Sequence, residues 1–138
     1  MAAPVLTADS SLVIPFMTAW HEAHALARSR LAPVQRLPAH VLAESVSVLS
    51  RLPGGGAVDA REALRQMVVA FPDEMPSLTG PEYLRVLTRL TDAGLGGGAV
   101  YDGLVGGTAA AARLVLLTRD RRAVPAYAAV GAEVELVG

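Results

Sequence analysis

Two short apolar runs constrain this chain most: Val5-Leu6-Thr7-Ala8, and Leu114-Val115-Leu116-Leu117-Thr118. Neither alternates apolar with polar, and both are too short for a core helix. They read as strands buried on both faces, the second being the clearest strand in the chain. Such strands belong to parallel sheets covered by helices, and parallel neighbours need long crossover connections. Each run also stops at a carboxylate, Asp9 directly and Asp120 two residues on.

The residues between the runs supply the crossovers. Ser10 or Ser11 can cap a first helix through Leu12-Val13-Ile14, with Pro15 tolerated near its start. A second helix is expected from Trp20 to Leu31, stopped by Pro33, and a third from His40 to Leu52, stopped by Pro53 and three glycines. A fourth should span Asp59 to Phe71, with Leu64, Met67, Val68 and Phe71 at helical spacing. Thr79, Pro81 and Glu82 form a capping box for a fifth, ending near Ala93. A small-residue helix covers 99–112. A short helix from Val124 to Val130 and a last strand, Glu133 to Val137, close the chain. Weaker strand candidates lie at 34–38 and near Met75. The expectation is therefore an α/β fold: a doubly wound, mostly parallel sheet of about four to five strands with helices on both faces.

At 138 residues the chain is one domain, 1–138, large enough for its own core. It has no cysteine, which excludes disulfides and Cys-based zinc sites and makes a reducing cytoplasm the expected location. No stretch reaches the roughly 18 apolar residues of a membrane span, and no signal-like leader is present. A net charge of −1 argues against a generally basic nucleic-acid coat protein. All twelve cationic side chains are arginine. Without lysine, Schiff-base and P-loop chemistry are excluded. A phosphoacceptor receiver domain, which also sets aspartates at strand ends, fails on the same ground.

Four carboxylates draw together under this topology. Ligands bind beyond the carboxyl ends of parallel strands, where strand order reverses. Asp9 and Asp120 follow strands there. Asp102 stands in the first turn of its helix and Glu44 in the second turn of its own, both at the border between apolar face and solvent. Bare carboxylates crowded at low dielectric repel strongly. A hard divalent cation such as Mg²⁺ or Mn²⁺, bound through oxygens, relieves that repulsion and acidifies bound water. Taken singly, Asp9 and Asp120 also fit turn or cap residues, Asp102 an ordinary helix N-terminal carboxylate, and Glu44 a solvated helix position.

The order of these motifs resembles the PIN-domain ribonucleases, and among them the VapC-type toxins of bacterial toxin–antitoxin pairs. The matching segments are Asp9-Ser10-Ser11, Leu42-Ala43-Glu44, Tyr101-Asp102-Gly103-Leu104-Val105 with Thr108-Ala109, and Leu116-Leu117-Thr118-Arg119-Asp120-Arg121-Arg122. The resemblance spans essentially the whole chain. It implies a PIN-like fold and a Mg²⁺- or Mn²⁺-dependent endoribonuclease site carried by Asp9, Glu44, Asp102 and Asp120. Asp9 and Asp102 would bind metal most directly, with Asp120 completing the site, directly or through water, and Glu44 supporting the metal or orienting water. Thr118 would hydrogen-bond within the cluster, and Ser10 or Ser11 would do the same or cap the helix. A cognate antitoxin, an RNA substrate (tRNA, rRNA or mRNA) and a homodimer are the implied partners, with no membrane. Gly103, Gly106 and Gly107 depart from the alanine-rich helix of the family, and each weakens a helix by about 1 kcal/mol relative to alanine.

Other features are secondary. Arg119, Arg121 and Arg122 flank the carboxylates and suit RNA phosphates, or simply offset local negative charge. Arg51 and the glycines after it are candidates for an RNA entrance. His21 and His24 are three apart on one expected helix but lack a third ligand. The stripe of Phe16, Met17, Trp20 and Leu26 is either core or a groove for a partner helix. The competing reading of the whole is a catalytically idle PIN-like module that only binds RNA or protein.

Overall fold

The structure is a computed structural model that describes residues 3–138. In chain order it contains β1 (Leu6–Ala8), α1 (Ser10–Met17), α2 (His24–Arg30), α3 (Ala39–Leu49), α4 (Ala60–Ala70), α5 (Gly80–Asp92), α6 (Ala99–Ala111), β2 (Val115–Thr118), a 3-10 turn (Arg121–Ala123), α7 (Val124–Ala129) and β3 (Glu133–Leu136). The sheet is parallel, in the order β1-β2-β3, with Ala8 opposite Leu117 and Leu117 opposite Glu135. Thr7 and Ala8 point to opposite faces, as do Leu116 and Leu117, and all four are fully buried. Both faces of β1 and β2 are thus covered, as unalternating strands require, while β3 at the edge is largely exposed.

The ladder has three strands among the described residues, against the four to five expected. The segment at 34–38 lies between Pro33 and Pro38 and meets β1 only sideways, through a hydrogen bond from Thr7 Oγ1 to the Arg36 carbonyl. It touches the stretch near Met75 through two backbone bonds, Asp73 N–H to Gln35 and Ala39 N–H to Pro76. Proline offers no N–H to a ladder, and two isolated bonds do not make one. The three strands run in chain order with no reversal. What concentrates the carboxylates is the shared carboxyl edge of two adjacent strands.

Several helix limits shift for local reasons. Asp9, not Ser10 or Ser11, caps α1: its carboxylate accepts from the Ser11 N–H, and Ser10 is already helical. α2 starts at His24 rather than Trp20, because residues 18–23 form turns in which His21 Nδ1 accepts the Ala23 N–H. In α4 the buried face is Ala63 and Met67, continuing to Phe71, while Leu64 and Val68 are exposed. The capping box of α5 forms as read: Thr79 accepts from Glu82 N–H and Glu82 from Thr79 N–H.

α6 is the central helix, and all of 103–109 is buried. Its glycines mark close approaches. A Cβ on Gly103 would overlap the Leu90 side chain, and one on Gly107 would overlap Val86, both from α5. A Cβ on Gly106 would lie 2.8 Å from Tyr127 Cδ1 of α7. The three glycines therefore let α5 and α7 seat against α6, and the contacts they permit hold Asp102 in place despite the weaker helix propensity. Among the described residues no helix is long and apolar enough to cross a membrane.

Candidate active site

The carboxyl edge of β1 and β2 carries a tightly bonded polar knot. β1 hands Asp9 to the edge, and its peptide N–H bonds Leu117 O across to β2. One Asp9 oxygen, Oδ1, accepts from Ser11 N–H at 3.0 Å and Ser11 Oγ at 2.5 Å. The other, Oδ2, accepts from Thr118 Oγ1 at 2.5 Å and Tyr127 OH at 2.6 Å. Ser11 Oγ also accepts from Arg119 N–H, and Thr118 Oγ1 from Asp120 N–H, so the knot fixes the start of the next loop. Asp9 is 5% exposed. Burial pushes its carboxyl above the usual range, against the lowering effect of Ser11, Thr118 and Tyr127.

The other three carboxylates stand around this knot, half-buried. Glu44, one turn inside α3, accepts from Ser10 Oγ and lies 3.7 Å from His40 Nε2. Asp120 caps the 3-10 turn by accepting the Arg122 N–H at 3.0 Å, with Arg122 Nε 3.6 Å away. Asp102, in the first turn of α6, is raised by desolvation and then by the charges of Asp120, Glu44 and Asp9, with Arg122 opposing. Four carboxylates from four separate elements thus act on one point. Asp9 and Asp120 each cap a turn, and the charges of both reach Asp102.

The donor set is entirely oxygen, with no thiolate and one imidazole at its margin, which suits a hard divalent cation. Among the described residues no three acidic or histidine side chains are gathered closely enough to hold a cation as they stand. The cause is visible: Asp9 faces its hydroxyls, Glu44 faces Ser10 and His40, and Asp120 faces Arg122. Asp9 is the most enclosed of the four, with all of its roughly four lone-pair sites engaged. Asp102 has none of these local partners and is the most available. The chemistry of the donors fits such a cation.

Two relatives in Mycobacterium tuberculosis decide the family. The ribonuclease VapC40 is 35% identical over 133 residues, spanning 96% of this chain and 99% of that protein. Ribonuclease VapC27 is 38% identical over 134 residues, 95% and 96% of the two chains. The chain belongs to the VapC ribonuclease family. Its fold matches a chain of the VapBC2 complex of Rickettsia felis bound to a promoter DNA fragment, with a TM-score of 0.69, 16% identity and coverage of 97% and 99%. No family model matches.

In this VapC-family chain one residue of the knot was not legible in the sequence. Tyr127, 1% exposed, reaches from α7 to Asp9, and its hydroxyl is pushed far above the usual phenol range by burial and the Asp9 charge. Nothing in Ala126-Tyr127-Ala128 distinguishes it from a core aromatic. The only cue is Gly106, whose missing side chain makes room for the ring. Ser11 likewise carries more of the knot than Ser10, which bonds Glu44 instead. Of the flanking arginines, Arg121 and Arg122 are exposed and Arg119 is partly covered. The histidine pair is spent locally: His24 Nδ1 bonds the Pro15 carbonyl at 2.8 Å, and His21 closes its own turn. The triple-glycine loop packs on Trp20, where a Cβ on Gly56 would lie 3.0 Å from the indole.

Proposed function

We propose that the chain is the toxin of a toxin–antitoxin pair, a metal-dependent endoribonuclease whose four-carboxylate edge hydrolyses RNA phosphodiesters. The observation that carries this reading is the convergence of Asp9, Glu44 and Asp120 on Asp102, in a chain whose relatives are ribonucleases. Asp102, Asp120 and Asp9 would hold the cation. Bound Mg²⁺ or Mn²⁺ would supply Lewis acidity and neutralise charge on the phosphodiester. Glu44, steadied by Ser10 and His40, accepts a proton from the attacking water. Thr118 and Tyr127 keep the Asp9 carboxylate in one orientation. Arg119, Arg121 and Arg122 offer planar, multi-donor cations to the flanking phosphates, and Arg122 shields Asp120 until RNA arrives. The favoured substrate is a single-stranded loop in a structured RNA, where bases are already splayed.

The antitoxin reading rests on a groove of about 430 Å³ between α1, α2 and α4, lined by Phe16, Met17, His24, Arg28 and Val69 among others. Its lining is mixed, with Phe16, Met17 and Val69 beside His24, Gln66, Arg28 and Arg65. A partner helix with an apolar stripe and acidic flanks fits that lining. A homodimer and cytoplasmic location complete the reading.

The test is hydrolysis of structured RNA by the purified chain with and without Mn²⁺, beside Asp102→Asn. Metal-dependent cleavage lost in the variant is expected. Cleavage that persists in EDTA, or equally in Asp102→Asn, overturns the assignment. Calorimetric titration of Mn²⁺ discriminates the idle-module alternative, which has no site for Asp102→Asn to abolish.

A further inference from the structure

Beside the carboxylates lies an aromatic pair, of which the mechanism uses only His40, as a neighbour of Glu44. Tyr101 precedes Asp102 on α6, and His40 stands one turn before Glu44 on α3. Their rings are stacked, with centroids 5.6 Å apart and planes 6° from parallel. At 5.6 Å the near-parallel rings are offset, and Tyr101 remains 58% exposed, so much of its ring is open to solvent. The imidazole is also the edge of a cleft of about 300 Å³ between α3, α5 and α6, walled by Leu78, Tyr83, Leu104 and Thr108. Tyr83, at the other side of that cleft, is itself 46% exposed. Burying these rings against protein would be the ordinary way to use their area. Here they face outward, and His40 is pinned by Glu44, 3.7 Å from its Nε2.

We propose that Tyr101, backed by His40, is a stacking platform for one nucleobase of single-stranded RNA, the base adjoining the phosphate that the carboxylates address. The proposal rests on the ribonuclease reading for its substrate and on the stack for its site. A scissile phosphate at Asp102 leaves its neighbouring base within reach of the preceding residue on the same helix. Stacking is tolerant of base identity because every base has a π-face, so the platform sets where the strand lies more than which sequence is cut. The His40 stack orients the phenol ring in advance, which reduces the ordering needed on binding.

The experiment uses the full chain in EDTA with short single-stranded oligoribonucleotides carrying 2-aminopurine, and with matched oligonucleotides abasic at the same position. Repulsion from the carboxylates acts equally on both, so the affinity ratio isolates the base. The base-bearing strand should bind about five- to a hundredfold more tightly, with quenched fluorescence. Tyr101→Ala should abolish both the ratio and the quench, while Tyr101→Phe keeps them. Equal affinity for the two strands, or a ratio unchanged in Tyr101→Ala, overturns the proposal. So does a change of oligomeric state in Tyr101→Ala without any base preference in the parent, which makes the platform a protein interface. Hydrolysis with Mn²⁺ is measured in parallel. A chain that prefers the base-bearing strand but cuts nothing refutes the ribonuclease reading and leaves the platform standing.

Discussion

Replacing Tyr127 by phenylalanine removes a single oxygen from a ring that is otherwise wholly enclosed. No cavity of consequence forms, so the change isolates the 2.6 Å bond to Asp9 Oδ2. A hydrogen bond to an ionised acceptor contributes about 1.5–3 kcal/mol, and a neutral one about 0.5–1.5 kcal/mol. At neutral pH, with Asp9 charged, the loss should fall in the first range. For a domain of this size that corresponds to a melting temperature lower by about 5–10 °C. The pH dependence follows from the sign of the Asp9 shift. Tyr127 favours the charged form of a carboxyl whose pKa burial has already raised. The deficit is therefore full above the folded pKa of Asp9. It shrinks toward the neutral-bond range as pH falls through that pKa, because the acceptor is then protonated in parent and variant alike. Thermal melts of the apoprotein from pH 7.5 to 4.5 measure this, and a double-mutant cycle with Asp9→Asn assigns the pairwise part. A variant melting within about 1 °C of the parent, or a deficit that grows on acidification, refutes the reasoning.

Asp102→Asn should raise the melting temperature of the apoprotein while reducing RNA cleavage by more than the roughly 100-fold typical of outer-shell partners, because its charge is opposed by three others. Parallel melting and hydrolysis assays check both halves. Asp9 and Asp102 are both raised above 3.8, so the folded state binds their protons more readily than the unfolded chain. Stability without metal should accordingly rise as pH falls from neutrality through the folded pKa values of this pair, the reverse of ordinary acid unfolding, as urea midpoints at each pH will show. Below those values, exposed Glu62, held down to about 2 by Arg65 and Gln66, and Glu82, lowered by Thr79, lose their contributions and the trend turns over. Gly107→Ala should destabilise by about 1–3 kcal/mol through overlap with Val86, although alanine favours the helix by about 1 kcal/mol, and urea unfolding gives the net sign.

What the sequence displayed was whatever had a local signature. The two buried strands, the capping box at Thr79 and Glu82, and the four acidic positions are each carried by a few adjacent residues. The sheet's missing strands were not legible because proline-flanked segments at 34–38 and near Met75 look extended without saying whether their N–H groups meet a ladder. On α4 Met67 and Phe71 were read correctly as buried, but Leu64 and Val68 are exposed and Ala63 takes the place of Leu64, since alanine counts for little beside leucine on any hydrophobicity scale. Tyr127 was invisible for a different reason. Its role depends on a contact 118 residues away, and only three dimensions bring α7 to the end of β1.

The glycines of α6 tie these observations together. Read along the chain, Gly103, Gly106 and Gly107 weaken the helix that presents Asp102. In the fold they bring α5 and α7 against it, and the α7 contact is what delivers the Tyr127 hydroxyl to Asp9. A side chain at Gly106 would push Tyr127 away, removing a donor from the inner carboxylate while leaving every acidic residue in place. Gly106→Ala should therefore reproduce the acid-sensitive deficit of Tyr127→Phe and add the strain of a Cβ 2.8 Å from the ring. The comparison separates two causes. If Gly106→Ala is destabilised by the same amount at pH 7.5 and 4.5, its damage is packing alone, and the link from helix glycine to carboxylate orientation is broken. A deficit that narrows on acidification in both variants means that α6 positions Asp102 directly and Asp9 through Tyr127.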